Sequence, residues 1–160
     1  MKFTYIILIL LAVFSVSCSD NVVILTESQI SDDIFYLQDE IKPYSGKCHI
    51  YYSNSEILKE ELNFKGGILD GQRISYYKNG RIKRTGSYFD GGCDGKWTGF
   101  DKKGNKIFQA EYRNDILAGR FVSWYSTGVI KEKGYYANNS QISEWISYDE
   151  SGMVKKKIIL

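Results

Sequence analysis

Three consecutive stretches of the chain align without a gap, and they decide its fold. They read GQRISYYKNGRIKRTGSYFDGGCD (residues 71–94), GKWTGFDKKGNKIFQAEYRNDILA (95–118) and GRFVSWYSTGVIKEKGYYANNSQI (119–142). Each is 24 residues long, and SEWISYDESGMVKKKIIL (143–160) begins a further copy in the same register. A unit one residue longer, GKCHIYYSNSEILKEELNFKGGILD (46–70), precedes them. A fixed period of this length is typical of a repeat architecture.

Each unit divides into two apolar-polar alternating segments around a glycine turn. The turn glycines are Gly80, Gly104, Gly128 and Gly152, and Ser55 stands at this position in the first unit. Glycine adopts the positive φ that tight hairpins require. The chain is rich in tyrosine and has one proline, which also favours short strands. The sequence therefore predicts an all-β fold: an elongated single-layer antiparallel sheet of about ten strands, stacked as successive β-hairpins.

Alternation along the strands assigns side chains to the two faces of this sheet. Ile74 and Tyr76 share one face of a first strand, and Gly86 and Tyr88 share one face of the following strand. Intervening positions such as Lys83 are polar, so we expect one apolar face and one face rich in Lys, Ser and Thr.

Two further sets of positions recur in three units each. A small residue stands at Gly86, Ala110 and Gly134, and we expect it to leave room for a neighbouring aromatic ring. Trp97, Phe121 and Trp145 are out of phase with the alternating apolar residues of their strands. We expect them at a bulge near the strand start or across the bend between units.

The pattern G-x-W-x-x-Y-x-x-x-G-x-I-x-x-x-G-x-Y resembles the MORN repeat, in the variant common in bacterial exported proteins. Residues 33–37 and 43–46 also resemble the segment that those proteins place before the first unit. The resemblance covers residues 33–160, with units starting near 46, 71, 95, 119 and 143. Arg73 replaces the aromatic residue and Ser55 replaces the turn glycine, so we expect these two units to be less regular. The resemblance implies protein interaction and names no partner.

The first residues of the chain predict that the protein is exported. An apolar run, YIILILLAVF (residues 5–14), follows Lys2 and ends in Ser-Val-Ser-Cys at residues 15–18. This ending resembles a bacterial lipobox, although Ser15 departs from the usual Leu. We expect a signal peptide over 1–17, a lipidated Cys18 with a tether over 18–32, and the repeat domain over 33–160. One short strand is expected at Val22–Thr26. Acylation would place the chain in the cell envelope, at the outer membrane or cell surface; an uncleaved anchor is the alternative.

Nothing in the sequence has the pattern of a catalytic or metal centre. His49 follows Cys48, but adjacent strand residues point to opposite faces, so they cannot form a nucleophile-base pair. One His and scattered Cys do not supply three or four metal ligands, and no cofactor motif is present. Cys48 and Cys93 lie several strands apart, so we expect them not to be bonded to each other. A formal net charge of +2 gives no argument for nucleic acid.

Two stripes of side chains remain as candidate surfaces. Lys83, Lys131 and Lys155 share one repeat position, which Ile107 interrupts. They indicate a solubilising sheet face, or a surface for acidic phospholipids as in some eukaryotic members of the family. The aromatic stripe holds the possible binding surface, formed by Tyr76, Phe100, Trp124 and Tyr148. Its alternative role is a packing ladder between hairpins.

These observations lead to a lipid-anchored, non-enzymatic protein-binding or scaffold module on a bacterial membrane. One alternative is an antitoxin or immunity protein that neutralises a partner toxin, because many proteins with this repeat variant resemble such partners. A glycan-acting surface hydrolase is disfavoured, since the paired carboxylates that such an enzyme needs are not found at a specific spacing.

Overall fold

The computed structural model describes residues 22–25, 34–37 and 40–160. The predicted signal peptide and Cys18 lie outside the described residues. The described part forms one open sheet of twelve strands, which confirms the predicted all-β class. It contains no helix long and apolar enough to cross a membrane.

The strands follow one another across the sheet almost in chain order. The spatial order is β1-β2-β3-β5-β6-β7-β8-β9-β10-β11-β12, and β4 pairs with the end of β3. Their bounds are β1 Val22–Leu25, β2 Gly46–Tyr51, β3 Leu58–Lys65, β4 Ile68–Leu69, β5 Gly71–Tyr76, β6 Ile82–Phe89, β7 Gly92–Phe100, β8 Lys106–Arg113, β9 Ile116–Trp124, β10 Ile130–Ala137, β11 Ser140–Tyr148 and β12 Val154–Ile159.

Two kinds of turn connect these strands. Within a unit the chain turns at glycines with positive φ, for example Gly80 at 77°. Between later units it turns at pairs of residues that tolerate positive φ, such as Asn138 at 49° and Asn139 at 63°. Asparagine adopts this region more readily than most residues because its short side chain bonds locally. The turn residues identified in the sequence therefore set the spacing of the hairpins.

The sheet begins further upstream than residue 33. Strand β1 lies inside the segment predicted as a tether, where a short strand was expected, and it pairs with β2 in parallel. Leu25 is buried there with Cys48, Ile50 and Leu62. Sequence alternation gave no sign of this pairing direction, which depends on contacts distant in the chain.

The segment before the first unit packs onto that unit. The Phe35 N–H donates to the Gly67 carbonyl at 2.8 Å, and the Gly67 N–H donates to the Tyr44 carbonyl at 2.7 Å. The Phe35 ring lies 5.2 Å from the Phe64 ring and 5.7 Å from the Tyr44 ring, measured between centroids. These contacts close the first end of the array with an aromatic cluster.

The predicted assignment of faces is wrong in one respect. Gly86 pairs with Arg73, whereas Ile74 pairs with Thr85, so Ile74 and Tyr88 lie on opposite faces. The reason is the register: the pairing shifts between Ser75 and Tyr76, and a one-residue slip moves every later side chain to the other face. Both faces therefore contain buried residues, such as Trp97 on one and Val122 on the other.

The expected bulge near the start of the first strand is present. Thr85 pairs with Thr98 and Ser87 with Asp94, so one residue of β6 faces three residues of β7. Gly95 lies in this irregularity with φ at 73°, and Ser143 holds the same repeat position with φ at 58°. The bulge places the following Trp97 over the preceding strand.

The two described cysteines are not paired. Cys48 lies in β2, and Cys93 lies in β7. Four strand intervals separate β2 from β7, or about 19 Å at ~4.8 Å per interval. This exceeds the reach of a disulfide, for which the two Cα atoms lie within about 7 Å. Burial raises the pKa of the Cys48 thiol to about 11.

Candidate functional site: the inter-unit clefts

A ladder of aromatic rings forms the base of the candidate site. A Cβ on Gly86 would overlap the Trp97 ring, and one on Gly134 would come within 2.5 Å of the Trp145 ring. Ala110, the equivalent residue, pairs with the smaller Phe121. This confirms that the small residue leaves room for an aromatic ring.

Hydrogen bonds fix the two indole rings of this ladder. Trp97 Nε1–H donates to the Ser87 carbonyl, and Trp145 Nε1–H donates to the Tyr135 carbonyl, each at 3.2 Å. The Tyr88 ring meets Trp97 edge-on at 5.3 Å between centroids. Both tryptophans are nearly fully buried, so they form a rigid support rather than a contact surface.

The lysine stripe occupies a structurally distinct position. The second strand of each unit carries one extra residue soon after the turn, where the pairing register shifts. The extra residues are Lys59, Lys83, Ile107, Lys131 and Lys155. A bulge of this kind bends the strand and redirects its side chains. The repeat position recognised in the sequence is therefore the bulge itself.

Tyrosine hydroxyls link successive units. Tyr52 donates to the Tyr76 carbonyl at 2.7 Å, Tyr77 to the Phe100 carbonyl at 2.7 Å and Tyr125 to the Tyr148 carbonyl at 2.9 Å. Sequence reasoning did not identify this function of the tyrosines. Their recurrence just after the first strand of a unit was a signal that could have revealed it.

The tyrosine link is replaced where the same position holds an aspartate. Asp101 Oδ1 accepts the N–H of Lys103 at 2.8 Å and the N–H of Asn105 at 2.9 Å. Asp149 Oδ1 accepts the Ser151 N–H in its own turn at 2.9 Å. These hydrogen bonds lower the pKa of both carboxyls, the largest contributions coming from Asn105 for Asp101 and from Ser151 for Asp149. Aspartate thus stabilises its own turn and does not reach the next unit.

Clefts lie beside these tyrosines, between one unit and the next. A cavity of about 440 Å³ spans the clefts of the first three units, and one of about 290 Å³ lies between the last two. They are equivalent, since Tyr77, Lys83 and Phe100 of the larger cavity correspond to Tyr125, Lys131 and Tyr148 of the smaller one, 48 residues later. We call these two cavities the inter-unit clefts.

The lining of the clefts is strongly cationic. Seven Lys and Arg side chains and two Glu side chains line the two cavities in the described part of the chain, although the whole chain carries a formal charge of only +2. Lys131 Nζ lies 5.9 Å from the Tyr125 ring centroid. Stacking of this kind holds a cation beside the cleft without neutralising it.

Arg73 differs from the other cations because it is bound within the sheet. Its guanidinium forms an ion pair with Glu60 at 2.7 Å and donates to the Tyr88 hydroxyl at 3.0 Å. Burial alone would lower the pKa of Arg73, but Glu60 and Tyr88 reverse this, so that pKa is raised overall. Arg73 stands where the three later units have Trp or Phe, and it lines the larger cleft.

The predicted binding residues are divided among these surfaces. Tyr76 and Phe100 border the larger cleft and Tyr148 borders the smaller one, and their carbonyls accept the tyrosine hydroxyls there. The rings of Tyr76 and Tyr148 lie on the other face of the sheet, where Tyr76 donates to Glu61 and Lys133 Nζ lies 5.4 Å from the Tyr148 ring centroid. Burial and then the hydrogen bond to Glu61 raise the pKa of Tyr76 to about 12, so this hydroxyl stays protonated at neutral pH. Trp124 is half-buried at the end of β9 and lines neither cleft.

The other residues considered for chemistry are not brought together. Within the described residues, no group of three or more His, Cys, Asp and Glu side chains is placed to hold a metal ion. His49 lies opposite Glu61 in the β2–β3 pairing, and its ring is 6.3 Å from that of Tyr51. The lipidation residue Cys18 lies outside the described residues.

Comparison with known proteins supports the repeat assignment. No curated protein sequence matches the chain. The family model for the MORN repeat variant matches residues 69–90 and 117–138. Those residues cover β5–β6 and β9–β10, which are two hairpins of the same architecture. The matches at residues 69–90 and 117–138 agree with the resemblance to the MORN repeat variant that the sequence shows.

Proposed function

We propose that this chain is a binding module held at a bacterial membrane, with a lipid on Cys18 as its anchor and the inter-unit clefts as its binding surface. The observation that supports binding is the lining of the clefts. Cationic and aromatic side chains gather there, and the rigid Trp97 and Trp145 ladder supports them from below. A rigid support favours binding, because little side-chain conformational entropy is lost when the partner binds.

The same residues support binding rather than catalysis. A glycan hydrolase would need two converging carboxylates. Of the carboxylates that line the clefts, Glu60 is bound to Arg73, and Glu132 accepts from the Ser123 hydroxyl at 3.4 Å. The proposal therefore assigns the clefts to recognition of a partner and places the chain outside the enzymes.

Binding is tested by cross-linking and capture from native membranes. We compare the full chain with the double variant Tyr77→Ala and Tyr125→Ala, which removes one ring from each cleft. Tyr135→Ala is the matched control, because Tyr135 is exposed and lines neither cleft. We expect one partner, identified by mass spectrometry, to be captured by the wild type and by the control and lost from the cleft variant. Equal capture by all three proteins would contradict the proposal, and a toxin as the captured partner would make the chain an antitoxin.

The anchor is tested separately. Cells that express the wild type are labelled with a clickable fatty acid, and membranes are washed in high salt, which screens charge but leaves acyl burial intact. We expect label on the wild type and on Cys93→Ala, and none on Cys18→Ala. A wild type that takes up no label and stays in the cytosol would overturn the lipoprotein assignment.

A further inference from the structure

We infer that the inter-unit clefts recognise an acidic protein segment in polyproline II conformation, with a carboxylate at every third residue. The inference rests on the proposed binding function and specifies the partner's chemistry. It starts from the bulge positions Lys59, Lys83, Lys131 and Lys155.

The spacing of these lysines follows from the sheet. Successive units are two strands apart, so equivalent side chains recur about every 10 Å along the stack. Lys83, Lys131 and Lys155 are exposed, and Lys59 lies with its Nζ 5.8 Å from the Tyr52 ring centroid. The clefts thus offer cations in a row at a fixed interval, with one position occupied by Ile107.

The polyproline II conformation fits this interval. It has three residues per turn and rises about 3.1 Å per residue, so every third side chain returns to the same side after about 9.3 Å. The side chains of a β-strand alternate between its two faces, so a side chain three residues further along points away from the lysines. Carboxylates on every third residue of a polyproline II segment can therefore meet successive lysines.

The aromatic lining fits the rest of such a segment. The rings of Tyr52, Tyr77 and Tyr125 lie in the clefts beside the lysines. Lys59 Nζ is 5.8 Å from the Tyr52 ring centroid, and Lys131 Nζ is 5.9 Å from that of Tyr125. Aromatic-lined grooves are the usual binding sites for proline-rich segments, because that conformation is already formed and little entropy is lost on binding. Charge complementarity and ring spacing thus favour the same occupant.

The test uses two labelled peptides of identical composition and the full chain. One has five Glu-Pro-Pro triplets, one for each unit of the array, and the other has the same residues with all glutamates in one block. Fluorescence anisotropy at low salt measures the affinity of each. We expect the triplet peptide to bind at least about five-fold more tightly than the block peptide, because each matched ion pair contributes up to about five-fold. Equal affinities would overturn the inference, since general charge attraction would then suffice.

Variants locate the binding site. We expect the triple variant Lys83→Gln, Lys131→Gln and Lys155→Gln to lose about ten-fold or more in affinity for the triplet peptide. The matched control, Lys96→Gln, Lys102→Gln and Lys103→Gln, removes the same charge from residues that line neither cleft. Ile107→Lys completes the row and should strengthen binding about two- to five-fold. Equal losses in the two triple variants would overturn the inference.

Vesicles that contain an anionic phospholipid form the last arm. Binding to these vesicles with the same lysine dependence, and none to the triplet peptide, would assign the clefts to a lipid surface and overturn the inference. A partner captured through Tyr77 and Tyr125 that lacks period-three carboxylates would also overturn it, while the proposed binding function would stand.

Discussion

The packing of Trp97 over Gly86 gives a prediction that can be tested quantitatively. The φ of Gly86 is not positive, so alanine can adopt its backbone conformation, and the obstacle is the ring that a Cβ would overlap. Overpacking of a rigid site typically costs about 1–3 kcal/mol. Alanine also lowers the conformational entropy of the unfolded chain relative to glycine, which offsets about 0.4–1 kcal/mol of this cost. We expect Gly86→Ala to lower the free energy of unfolding by about 1–2 kcal/mol.

Trp97→Phe should also be destabilising on its own. Truncation of a buried Trp to Ala typically costs about 3–5 kcal/mol, and Phe keeps a large part of the apolar area, so we expect a loss of about 2 kcal/mol. The substitution also removes the N–H that donates to the Ser87 carbonyl. The double variant reproduces the natural pair Ala110 and Phe121. We therefore expect it to be more stable than additivity predicts, by about 1–2 kcal/mol.

The assay is urea unfolding of all four proteins, followed by tryptophan fluorescence and circular dichroism. Gly86→Ala combined with Trp145→Phe is the control, because Trp145 packs on Gly134, two units away. This control pair should be additive within about 0.5 kcal/mol. Additivity of Gly86→Ala with Trp97→Phe would refute the reasoning that ring size determines which small residue each unit carries.

Three further predictions concern single residues. Ser143 has φ at 58°, so Ser143→Gly should raise the free energy of unfolding by about 0.5–1 kcal/mol in urea titration, whereas Gly95→Ser should lower it. Tyr125→Phe removes the hydroxyl that donates to the Tyr148 carbonyl; we expect a loss of about 0.5–1.5 kcal/mol and faster hydrogen exchange in the last unit. The pKa of Asp149 is lowered in the folded chain by Ser151 and the turn, so its contribution to stability is present above the unfolded pKa and is lost as pH falls through the folded pKa. Asp149→Asn should flatten that acid limb, and an Asp149 carboxyl that titrates by NMR at or above the usual aspartate range would contradict this.

The repeat spacing was enough to predict the hairpins but not the faces. Gly80 and its counterparts mark turns because of their local backbone requirements, and such requirements can be read from one segment. Which residues of β6 share a face with Ile74 depends on the pairing register of β5 and β6. The register shift between Ser75 and Tyr76 is a property of these two strands together. Period-two alternation predicts wrongly after each such shift.

The candidate site was predicted in part for a similar reason. Lys83 and its counterparts were visible as a repeat position, and Phe100 and Tyr148 were visible as an aromatic stripe. Which side chains share the clefts depends on the bulge and on the hydroxyl of Tyr77, which binds a carbonyl 23 residues away. No local pattern encodes a contact of that range, so the sequence indicated the residues but not their arrangement.

The third unit differs from its neighbours at two positions, and one of them, residue 107, lines the larger cleft. Asp101 replaces the bridging tyrosine, and Ile107 replaces the bulge lysine. The first change puts a carboxylate where the two neighbouring units have a ring, and the second removes a cation, so both oppose an anionic ligand. The lysines on either side, Lys83 and Lys131, are two units apart, or about 20 Å. An acidic partner therefore has two zones of contact, and joining both requires a segment that spans the interruption. Since two linked weak contacts bind far more tightly than either alone, the length and stiffness of the partner between its acidic stretches would decide its affinity.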